Sequence, residues 1–163
     1  MSVDRFTLHQ RRKTFLPDIP ERSCLYPLAP WGVGTSDVES LTSYVARLAV
    51  IHQVPTGILL GKYVTPIISQ FTSKDVRISH SFWRAFGTDT GAWNGLGVMA
   101  SNCSFALCSL TKQHHLHLLT LLSCHQVLSH RGLLRPYKAW CPACYEEWEK
   151  FGIVVHEPLL WSL

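Results

Sequence analysis

Two cysteines near the end of the chain, Cys141 and Cys144, have the spacing of metal ligands. They sit in Ala139-Trp-Cys-Pro-Ala-Cys-Tyr-Glu-Glu-Trp148. A Cys-x-x-Cys with proline after the first cysteine reads as a zinc knuckle. Two thiolates on one tight turn reach the same tetrahedral Zn²⁺. A knuckle supplies two of four ligands, and no second Cys-x-x-Cys or Cys-x-x-His follows before Leu163. The remaining ligands are therefore expected beyond Leu163, in a longer protein of which this chain is a part. A redox reading of the pair needs a preceding strand and a βαβ pattern, and neither is evident.

Other residues that could do chemistry form no set. His114 and His117 would share a face of a helix, but no carboxylate or cysteine pattern completes a metal site with them. They are expected exposed or half-buried. Cys124 and His125 are adjacent, yet nothing local brings them to the knuckle. Paired carboxylates, a serine or cysteine nucleophile motif and a phosphate-cradling loop are all lacking, so the sequence does not read as an enzyme. Gly91–Gly97 lacks a preceding strand pattern and the lysine of a P-loop.

The elements that would position these residues are helical. The 163 residues are 47% apolar, which suits one domain or a helical domain with a metal-stapled one. Apolar runs at 116–122 and 154–160 are too short to span a bilayer. The N-terminus lacks a signal-peptide core, so a cytoplasmic protein without a membrane partner is expected. Its six cysteines then read as thiols or metal ligands rather than disulfides.

Charge is uneven. Residues 40–138 hold nine Lys and Arg against Asp75 and Asp89, whereas 139–163 hold Lys150 against four glutamates. A basic middle suits a phosphate-facing surface. Arg47, Lys62, Arg77 and Arg84 are its candidate phosphate contacts. An ordinary solvated surface would carry the same pattern.

Three regions follow: an extended arm over 1–36, a helical domain over 37–130, and the start of a zinc-binding domain over 131–163. The arm carries Arg11, Arg12 and Lys13, then an irregular segment with Tyr26 and Trp31. Large aromatics in such a segment either pack across a domain or dock a partner, and these five residues are the candidate partner contacts. Ser36-Asp-Val-Glu39 fits a capping box. Leu41, Tyr44, Val45, Leu48 and Ala49 repeat at helical spacing, with Arg47 opposite and the helix ending near His52. Pro55 is placed to open a second helix, which Ile58, Leu59 and Leu60 would bury. Helix, turn, helix at this spacing fits a helix-turn-helix unit as well as any small bundle. Trp93 is an expected anchor, an apolar helix is expected over 98–110, and a short acidic helix follows Cys144 and stops at Gly152.

Three stretches together resemble the TniQ family of transposon target-selection proteins. They are Pro20-Glu-Arg-Ser-Cys-Leu-Tyr-Pro-Leu-Ala-Pro-Trp-Gly-Val-Gly-Thr, then Val38-Glu-Ser-Leu-Thr-Ser-Tyr-Val-Ala-Arg-Leu-Ala49 with His52-Gln-Val-Pro, and then Arg131-Gly-Leu-Leu-Arg, the cysteine segment and Glu157-Pro-Leu-Leu-Trp161. The resemblance implies a mainly α fold, with an N-terminal helical domain containing a helix-turn-helix and a zinc-binding part after it. It implies a non-enzymatic adaptor that links target recognition to the AAA+ regulator TnsC, which recruits the transposase. The target is double-stranded DNA, chosen in some systems by an RNA-guided CRISPR effector. In TnsD-like relatives a C-terminal extension binds attachment-site DNA directly, and sequence-specific DNA binding is the alternative reading. Such a protein is bacterial and nucleoid-associated when active. The family's knuckle is normally followed by Cys-x-x-His and a further Cys pair, which this chain lacks.

Overall fold

The computed structural model describes residues 21–35, 37–71, 86, 88–129, 134 and 142–152. Every regular element among them is helical. Helix α1 spans Leu41–Ile51. A break of four residues leads to α2, Thr56–Leu59, which runs through a π turn at Leu60–Val64 into α3, Thr65–Phe71. Helices α4 (Thr90–Asn94) and α5 (Val98–Thr111) follow, then two 3₁₀ turns at Leu116–Leu119 and Leu121–Cys124, and α6 at Pro142–Lys150. No described helix is long and apolar enough to cross a membrane.

The α1 face read from its spacing is the centre of the core. Leu41, Tyr44, Val45 and Leu48 are fully buried, and Ala49 nearly so. They pack with Leu59, Leu60 and Val64 from the second helix, and with Cys103, Ala106, Leu107 and Leu110 from α5. Trp93 of α4 is the largest fully buried side chain and meets Phe86 edge-on, with ring centroids 5.0 Å apart. Leu116 and Leu119 close the cluster. Ile58 departs from expectation and lies exposed, because the helix starting at Pro55 turns Leu59 and Leu60 inward instead.

The start of α1 also departs from expectation. Its N-cap is Ser40, whose side chain accepts from the Ser43 N–H, so the helix begins at Leu41 after a Ser40 cap rather than after a Ser36 cap. Ser36 lies outside the described residues. Glu39 is drawn away from capping by Arg47 and by the Trp31 N–H, to which its carboxylate is committed.

At the other end, α1 closes with a Schellman arrangement. Val54 N–H donates to Ala49 O at 3.1 Å and Gln53 N–H to Val50 O at 2.9 Å. Gln53 adopts the left-handed conformation that this motif requires, with φ 53°. A Cβ there is strained. Gln53→Gly should therefore raise stability by about 0.5–1 kcal/mol, read from the urea midpoint.

One polar bridge ties α1 to α4 inside the core. Thr42 N–H donates to Asn94 Oδ1 and Asn94 Nδ2 donates to Thr42 Oγ1, both at 3.1 Å. Helix ends leave amides without intrahelical partners, and here a side chain 52 residues away supplies one.

Candidate functional site

Residues 25–31 cross the helical body as a strap without regular structure. Pro27 and Pro30 deny it a helix or strand, so its backbone polar groups need other partners. Leu25 N–H donates to Leu110 O at 2.9 Å, tying one end to the last turn of α5. Tyr26 N–H donates to His52 Nε2 at 3.0 Å, at the C-cap of α1. In the neutral imidazole this places the proton on Nδ1. Gln113 Nε2 donates to Pro27 O at 2.9 Å, and the Tyr44 hydroxyl to Leu28 O at 2.9 Å. Burial pushes the Tyr44 phenol up to about 12, so it stays a donor at neutral pH.

The far end of the strap is held by a buried charge. The Glu39 side chain is fully enclosed, yet it carries a carboxylate. Trp31 N–H donates to its Oε1 at 2.6 Å, Arg47 Nε donates to Oε2 at 2.9 Å, and Arg47 Nη2 pairs with Oε1. Arg47 Nη2 also donates to Ala29 O at 3.1 Å, and Glu39 N–H returns a bond to Trp31 O at 3.2 Å. Burial raises the Glu39 carboxyl above its ordinary value, while the bonds from Arg47 and Trp31 pull it back down. The fork geometry of a guanidinium lets one side chain serve both the carboxylate and the Ala29 carbonyl.

The loop between Trp31 and Glu39 closes on a glycine. Gly32 has φ +67°, and a Cβ on it would collide with the Asp37 carbonyl. Thr35 N–H and its hydroxyl both donate to Gly32 O, at 3.0 and 2.8 Å.

This strap leaves both of its aromatics at the surface. Tyr26 is 55% exposed and Trp31 43%. Of the two roles open to them from the sequence, the structure supports display over burial. The segment itself nevertheless packs across the body through its backbone. Arg11, Arg12 and Lys13, the other candidate partner contacts, lie outside the described residues.

The candidate phosphate contacts are not brought together. Arg47 does not lie free on the side away from the core. Its side chain is 18% exposed and is committed to Glu39 and Ala29. Lys62 is exposed in the π turn, with Nζ 5.7 Å from the centroid of the Tyr63 ring. Arg77 and Arg84 lie outside the described residues.

The cysteine pair is described only in part. Cys141 lies outside the described residues, and Cys144 lies in the first turn of α6 with its side chain undescribed. Pro142 opens that helix, where its missing N–H costs nothing. Among the described residues no group of three or more His, Cys, Asp or Glu side chains could hold a metal ion. The described residues thus do not complete a zinc site. His114, His115 and His117 are exposed, as are Cys24 and Cys124, whereas burial pushes the Cys103 thiol well up.

Sequence reasoning missed Glu39, His52 and Gln113 as parts of this site and gave Arg47 another role. A faint signal exists in α1, where Tyr44 and Arg47 are three apart and so share a face. An arginine beside a core tyrosine is a candidate for an internal partner.

A helical body carrying a pinned, aromatic-bearing strap has the form of a binding module. The TniQ family matches residues 30–163, and the chain belongs to that family. No curated protein matches it. Membership gives the chain a role in transposition, as an adaptor in target selection; members are non-catalytic accessory proteins.

Proposed function

We propose that this chain is the adaptor between target-site recognition and the AAA+ regulator TnsC, with double-stranded target DNA beneath the regulator. The observation that carries the reading is the exposure of Tyr26 and Trp31 on a strap whose backbone bonds to the helical body at several points along its length. Exposed, rigidly held aromatics are the usual anchors of a protein interface. An RNA-guided CRISPR effector or attachment-site DNA is the upstream partner in this scheme.

The test is co-purification of the chain with the AAA+ regulator of the same transposon, with and without ATP and duplex DNA. Retention that depends on both ATP and DNA is the expected result. Tight, site-specific and steeply salt-dependent DNA binding without retention by the regulator would favour a direct DNA-binding selector instead. In that case helix, turn and helix at α1–α2 would be the first place to look for DNA contact.

Zinc held by Cys141 and Cys144 is proposed on their spacing, with its other donors outside the described residues. Metal analysis of the purified protein checks it. Cys141→Ser and Cys144→Ser should each lower bound zinc, and unchanged zinc in both variants would remove the pair from the ligand set.

A further inference from the structure

We propose that Glu39 and Arg47 are positioning residues, which hold the last part of the strap of residues 25–31 in the conformation that presents Trp31 to a protein partner. This inference rests on the docking reading above and adds a cause for its affinity.

Leu25, Tyr26, Pro27, Leu28, Ala29 and Trp31 each bond through a main-chain group to a residue outside the strap. Arg47 and Glu39 secure its last part, which carries Trp31. A segment with two prolines and no regular structure would otherwise sample many conformations. A partner binding it would have to order it, which weakens affinity. Fixing the strap beforehand removes that loss.

The chemistry is more specific than a packing role needs. An apolar pair could fill the volume of Glu39 and Arg47 without desolvating two charges. It could not accept the Trp31 N–H and donate to the Ala29 carbonyl at the same time. The pair supplies an acceptor to the Trp31 N–H and a donor to the Ala29 carbonyl two residues before it.

The experiment is a double-mutant cycle on the full chain, reading affinity for the AAA+ regulator with ATP and duplex DNA. Arg47→Lys keeps the charge beside Glu39 but loses the fork that reaches Ala29. Trp31→Ala should weaken binding about thirtyfold, as loss of an interface anchor does. Arg47→Lys should weaken it about fivefold through loss of strap order. The double variant should bind like Trp31→Ala alone, because Arg47 acts through Trp31. Amide exchange at Trp31 should speed up in Arg47→Lys.

Wild-type affinity in Arg47→Lys, or additive losses in the double variant, would overturn the positioning role. Wild-type affinity in Trp31→Ala would overturn the docking reading, and the inference with it. Should Arg47→Lys fail to fold, Glu39→Gln, which keeps an acceptor for the Trp31 N–H but weakens the hold on Arg47, enters the same cycle with the same expected and overturning results.

Discussion

Arg47→Met is expected to destabilise the protein by about 3–5 kcal/mol, because it strands the Glu39 carboxylate in the interior. The Glu39 side chain is fully enclosed and Arg47 provides two of its three donors. Removing the cation leaves one N–H, from Trp31, to stabilise a desolvated charge. The carboxyl then takes up a proton or the surrounding segment opens. The companion variant Glu39→Met/Arg47→Met buries no orphan charge and should recover part of the loss. Urea denaturation of wild type, single and double variants measures both. A loss below about 1 kcal/mol in the single variant would mean that the pair behaves as an exposed salt bridge and that the enclosure of Glu39 is not maintained in solution.

Trp93→Ala is expected to cost a similar amount, about 3–5 kcal/mol, for a different reason. Trp93 is fully buried between α1 and α5, and its edge-on contact with Phe86 ties the segment before α4 to the core. Truncation opens a cavity that the rigid helices around it cannot fill by relaxing. For a domain of this size the melting temperature should fall by roughly 6–20 °C. None of the strap's hydrogen bonds described above involves Trp93, so the folded fraction should keep wild-type affinity for the proposed partner. A small change in melting temperature would show that α4 is not part of the cooperative core.

The buried face of α1 was legible because its signal is periodic and local. Leu41, Tyr44, Val45, Leu48 and Ala49 fall on one side of any helix drawn through them, and all five are buried. The end of α1 near His52, the helix opened by Pro55, the helix expected over 98–110 and observed over Val98–Thr111, and the stop at Gly152 were legible because their signals are local as well. The cap was misplaced by four residues because Ser36 has Glu39 three residues on, as a capping box requires, whereas Ser40 has Ser43 there. Only the long-range demand of Arg47 and Trp31 on Glu39 decides between them.

The candidate surface divides along the same line. Sequence by itself determined the helical class, the core face of α1, the family and the identity of the two aromatics that could serve as anchors. These rest on residue type and short spacing, which a chain carries whether folded or not. Tertiary structure alone decided that Tyr26 and Trp31 stay outside while their backbone is pinned, and that Arg47 turns inward to a buried glutamate. Those outcomes depend on which donors meet which carbonyls across separations of up to 86 residues. The Pro-punctuated strap has no regular secondary structure of its own, so it takes its shape mainly from the residues it bonds to on the helical body.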